Sequence, residues 1–98
     1  MIPIASDALV TVENLKNKDT GLIVSDATLT GELQDVGTGA VLSSFSFTAK
    51  GGGKYNGIIP ASVTDGLIQG TNYLIVVTAV DGVNTSVFHD TDVADYLS

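Results

Sequence analysis

Apolar residues alternate with threonine and serine at period two in segment after segment of this chain, the signature of strands that bury one face and wet the other. The clearest case is 27–34, where Ala27, Leu29, Gly31 and Leu33 point one way and Thr28, Thr30, Glu32 and Gln34 the other. Within 8–15, Ala8, Val10 and Val12 share a face; after the charged, turn-prone Lys16–Gly21, Leu22–Val24 reads as a short edge strand. In 40–49, Val41, Phe45, Phe47 and Ala49 oppose Leu42, Ser44, Ser46 and Thr48, which assigns Phe45 and Phe47 to the core. Gly51-Gly52-Gly53 costs too much backbone entropy inside a strand and is expected at a turn. The following strand, 54–59, faces Tyr55, Gly57 and Ile59 inward and stops at Pro60, which cannot donate to a ladder. Residues 72–80 are apolar on both faces, as in a central strand covered on both sides. Asp81-Gly82 predicts a type I′ hairpin with a return strand over 83–90. The only helical turn the pattern admits lies between Ala61 and Gln69, at Ser62-Val63-Thr64-Asp65.

Six or seven strands separated by turn signals predict an all-β fold in one domain spanning 1–98. The expected form is an antiparallel immunoglobulin-like β-sandwich, with a small antiparallel β-barrel as the alternative. The chain is large enough to fold on one core without covalent staples, as it must, for it has no cysteine.

Charge narrows the partners. Eleven acids face four lysines and no arginine, a net charge of −7. All four lysines fall within residues 1–54, so the second half carries acids alone. Without arginine and with this acidity, nucleic acid and anionic membranes are not expected partners. The Met1–Asp7 segment has neither the positive start nor the apolar length of a secretory signal, so synthesis in the cytoplasm is expected.

Candidate chemistry is sparse. His89 is the one histidine, set among Asp90, Asp92 and Asp95; oxygen ligands there would suit a hard cation, yet the spacing matches no calcium loop. Gly51-Gly52-Gly53-Lys54 lacks the rest of a phosphate-binding loop. No serine stands in a Gly-x-Ser-x-Gly elbow. Tyr55 and Tyr73 offer either sugar-stacking platforms or core rings with hydroxyls at the rim, the latter being the commoner use. No catalytic, cofactor-binding or metal residue is assigned, a small-molecule ligand is not expected, and the chain is expected not to be an enzyme.

The runs Asp19–Thr30, Gly53–Pro60 and Gly70–Ala79 together resemble the short immunoglobulin-like proteins and domains of tailed-phage and prophage virions. Similar orders of turns occur in carboxypeptidase-regulatory-like, macroglobulin-like and bacterial adhesin domains. The resemblance implies a structural or assembly protein of a tail, neck, baseplate or decoration, located in the virion and bound to other virion subunits or to copies of itself. The alternative is a carbohydrate- or surface-binding adhesin-type module at a bacterial cell surface. Apolar residues outside the evident core name the candidate contacts: Ile2, Ile4 and Leu9 in the N-terminal segment, Val93, Tyr96 and Leu97 in the tail. Removal of residues 91–98 is accordingly expected to spare the fold.

Overall fold

The alternating segments form seven strands in the computed structural model, which describes residues 1–17 and 19–96. They are β1 (Ile2–Pro3), β2 (Ala8–Val12), β3 (Thr28–Asp35), β4 (Val41–Gly51), β5 (Lys54–Ile59), β6 (Asn72–Asp81) and β7 (Asn84–Asp95), with one helical turn, α1 (Ala61–Thr64), before β6. Their order is β1-β7-β6-β3-β4-β5-β2. Every neighbouring pair is antiparallel except β1 and β7, which run parallel with Ile2 opposite Ala94. The wholly antiparallel expectation is corrected at that pair.

β1 and β2 stand at opposite ends of this order, yet only residues 4–7 join them. The sheet must therefore coil until its ends meet at that link, where Ala5 takes a left-handed φ of 61°. An all-β fold results, a sandwich curled nearly into a barrel. β4 makes the two layers possible: Ser43–Ser46 pair with β3, and Phe47–Gly51 pair with β5. One strand thus serves both layers.

The core fills from alternate residues of each layer. Leu29 and Leu33 of β3 and Tyr73, Ile75, Val77 and Ala79 of β6 meet Tyr55 and Ile59 of β5 and Ala8 of β2. Phe45 lies between them, its ring over two glycines: a Cβ would fall 2.5 Å from Phe45 Cε2 at Gly31 and 3.0 Å from it at Gly57. Gly51, Gly52 and Gly53 turn the β4–β5 hairpin with φ of 86°, 64° and 77°, values only glycine adopts without strain. Pro60 ends β5 as expected.

α1 has no cap from Pro60, the residue before it, but the Asp7 carboxylate accepts from the Ala61 N–H at 2.8 Å. It is also held by Thr64, fully buried, whose hydroxyl donates to the Ser6 carbonyl at 2.7 Å and accepts from the Ser6 N–H at 3.2 Å. Replacing Thr64 with valine keeps the volume and strands both Ser6 groups. The expected loss is about 2 kcal/mol, read from denaturant midpoints.

Several local expectations are corrected. Leu22–Val24 forms no strand, only an isolated bridge between Lys16 and Ile23. Val41 does not join Phe45 inside: a register shift at Leu33/Gln34 sets it opposite Gln34, half exposed. The β6–β7 loop is Gly82-Val83, closed by Asp81 opposite Asn84, with positive φ at Gly82 alone. That is the type II′ pattern, one residue on from the expected type I′ pair. β6 buries one face only, since no further layer covers Leu74, Val76 and Val80.

The termini carry the largest correction. Ile2 and Ile4 are 2% and 4% exposed and belong to the core, so they are not free contact residues. Their burial follows from β1 joining β7, where Ala94 is fully buried and the Ile4 N–H donates to the Asp95 carbonyl at 2.8 Å. Residues 91–98 therefore include part of the fold, and their removal would open the core.

Candidate interaction edge

β7 is satisfied on one side only. Along β6 its ladder is unbroken from Asn84 opposite Asp81 to Val93 opposite Asn72. On the other side, among the described residues, β1 meets it at Ala94 and Asp95 alone. The Ala94 N–H donates towards the β6 side, to the Thr71 carbonyl at 3.0 Å, while the Asp95 carbonyl accepts from the Ile4 N–H just past β1. Antiparallel strands alternate the direction of their backbone groups. Thr85, Val87, His89 and Thr91 consequently turn their N–H and C=O outward, with no strand beside them among the described residues.

Both faces of this segment are open as well. Every residue from Asn84 to Thr91 is exposed, including Val87 and Phe88, and Val83 at the hairpin tip is 98% exposed. On the inner side Asn84, Ser86, Phe88, Asp90 and Asp92 stand opposite Asp81, Ala79, Val77, Ile75 and Tyr73. The second layer stops short of them, leaving a cleft of about 290 Å³ bordered by Leu15, Val24, Ala27, Ala79 and Ser86. On the outer side Thr85, Val87, His89 and Thr91 extend the face formed by Val80, Thr78, Val76 and Leu74.

The sequence-derived contacts do not gather in one patch. Leu9, 65% exposed, pairs with exposed Ile58 on the outside of the other layer, over a shallow hollow shared with Thr48, Lys50 and Asn56. Val93 and Tyr96 are exposed near the end of β7, and Leu97 lies outside the described residues. Sequence reading missed Val87 and Phe88, an adjacent apolar pair in an otherwise polar segment that was expected only as the return strand of the hairpin.

The acidic end assembles no cation site. His89 is on the outer face, opposite Val76, while Asp90 and Asp92 are on the inner one. Asp92 pairs with the Met1 ammonium at 2.7 Å, and Asp95 Oδ1 accepts from Gln69 Nε2 at 2.9 Å and from the Tyr96 N–H at 2.8 Å. Among the described residues no three His, Cys, Asp or Glu side chains come together. The glycine tip is no phosphate cradle either, for Gly53 is packed against Leu15 and Ile23.

Tyr55 and Tyr73 are 1% and 4% exposed, so neither ring can stack on a sugar. The Tyr55 hydroxyl donates to the Val24 carbonyl at 2.6 Å and accepts from the Ala27 N–H at 3.2 Å; that of Tyr73 accepts from the Ile68 N–H at 2.9 Å. The carbohydrate-binding alternative thereby loses its two proposed platforms. No helix among the described residues is long and apolar enough to cross a membrane. Comparison with known protein families, curated proteins and solved structures finds no match to this chain.

Proposed function

We propose that the chain is a non-enzymatic assembly module acting through protein–protein contacts, an immunoglobulin-like structural component of tailed-phage or prophage virions. The observation that carries the reading is the open edge of β7. A strand with a free ladder is a template for another strand. Folded proteins guard such edges with proline, lysine, a bulge or inward-pointing charge; the segment from Asn84 to Asp92 has no proline, lysine or bulge, and its carboxylates, Asp90 and Asp92, stand at one end of it.

Three features support the immunoglobulin-like form. Tyr73, near the start of β6, hydrogen-bonds back to the backbone at Ile68 in the manner of a tyrosine corner. The fourth strand pairs with both layers, and the first lies parallel on the last. The virion assignment rests on the resemblance carried by Asp19–Thr30, Gly53–Pro60 and Gly70–Ala79. The non-enzymatic reading draws support from His89, whose neighbouring carboxylates Asp90 and Asp92 face the other side of the sheet.

Mass spectrometry of washed particles, produced by the phage or prophage that encodes the chain, is expected to find its peptides at a fixed ratio to the major structural proteins. Their loss on washing would reject the virion assignment.

A further inference from the structure

The open edge of β7 has a length and a side-chain order of its own, and both bear on what pairs with it. β1 limits it at one end: Ile2 stands opposite Ala94, so Met1 falls beside Val93 and the free segment ends at Asp92. The hairpin loop limits it at the other end, at Asn84. The midpoint of Asn84–Asp92 is Phe88.

We propose that β7 pairs with β7 of a second copy of this chain, antiparallel about a two-fold axis at Phe88; this rests on the assembly reading and names its partner. The extent of the free edge sets this register, and the backbone is compatible with it. Centring on Phe88 uses the whole free edge, with Asn84 of each copy opposite Asp92 of the other. It also brings the outward-turned backbone groups into register, Val87 against His89 and Thr85 against Thr91, so each can exchange ladder hydrogen bonds.

The side chains agree with this register. Phe88 meets its symmetry mate in a non-hydrogen-bonded pair, the closer of the two antiparallel pair types, where aromatic pairs contribute most. Asp90 faces Ser86 and Asp92 faces Asn84, so no acid opposes an acid. Moving the centre to Asp90 would set two carboxylates directly opposite, and moving it to His89 would set Phe88 against Asp90. In the Phe88-centred dimer the two Asp90 side chains sit four residues apart along the ladder, about 13 Å, beyond the Debye length of ~10 Å at 0.1 M salt. The net charge of −7 on each copy still opposes approach at low salt.

Sedimentation equilibrium is expected to show a monomer–dimer equilibrium that shifts towards dimer as salt rises from about 0.01 to 0.15 M. Val87→Pro removes an outward N–H while sparing the β6 ladder, and is expected to weaken the dimer about 100-fold through lost central hydrogen bonds with the circular dichroism spectrum retained. Phe88→Cys reads the register: as the only thiol in the chain it would stand opposite its mate within disulfide range. Mild oxidation should give a cross-linked dimer, whereas Leu9→Cys should not. A chain that stays monomeric at millimolar concentration and 0.15 M salt overturns the self-pairing. A dimer that Phe88→Cys does not cross-link also overturns it, and leaves assembly through another surface. Presence in washed particles decides the virion reading separately, whatever the result here.

Discussion

Gly31→Ala is expected to lower stability by about 3 kcal/mol, the upper part of the range for overpacked cores, and to lower the melting temperature by about 12–24 °C. The new Cβ would enter the Phe45 ring, 2.5 Å from Cε2 and closer still to Cζ. The ring has little room to retreat. Gly57 lies under it on β5, Phe47 sits beside it with ring centroids 5.4 Å apart, and Leu33 of the same layer is fully buried. Ordinarily alanine in a strand gains on glycine through backbone entropy, so a loss here measures the clash. The double variant Gly31→Ala, Phe45→Leu should recover much of that loss, since the smaller side chain frees the space the methyl needs. Thermal and denaturant melts of the two variants check the claim. A Gly31→Ala chain as stable as the parent would mean that Phe45 does not lie over β3.

Tyr55→Phe is the second large effect, expected at about 2 kcal/mol because it orphans a buried acceptor and a part-buried donor together. The hydroxyl joins β5 to the segment before β3: it donates to the Val24 carbonyl and accepts from the Ala27 N–H. That segment has little else to hold it. Among the described residues between Lys16 and Thr28, backbone support comes from the Lys16–Ile23 bridge and local turn hydrogen bonds around Asn17, with Val24 buried and Ala27 packed on the core. Hydrogen exchange should therefore accelerate at Val24 and Ala27 in the variant while the β6 amides keep their protection relative to global stability. Equal acceleration throughout would show that the tyrosine supports the whole fold rather than this segment.

What was legible in the sequence was local. The Leu29–Leu33 face, the Tyr55–Gly57–Ile59 face, the stop at Pro60 and the glycine hairpin each follow from neighbours a few residues apart, where period and backbone preference act directly. Features that depend on distant partners were not legible. Ile2 and Ile4 look like spare apolar residues until β7 is placed beside them, and nothing in Met1–Asp7 encodes Ala94. The outward turn of Val41 comes from a register shift that β3 imposes on β4. The apolar second face of β6 suggested a covering layer, and only the full topology shows that none is there.

The same distinction explains the contact residues. Exposure of Leu9, Val93 and Tyr96 could be anticipated from apolar residues outside the alternating strands. The exposure of Val87 and Phe88 could not, for it arises where the second layer ends, which nothing in their own segment encodes.

The parallel seat of β1 on β7 bears on how the chain is made. Ile2 lies in the first of the seven strands to be made, yet Ala94 opposite it lies in the last of them. The core cannot close until β7 has been made. The six antiparallel strands can form their hairpins as they emerge, while the first apolar residues wait for β7, so closure depends on a contact of very long sequence separation. Such contacts slow folding because loop-closure entropy is spent before they form. Until then the nascent protein exposes both its first strand and its last, the period when a chaperone or an assembly partner has most to gain by arriving early.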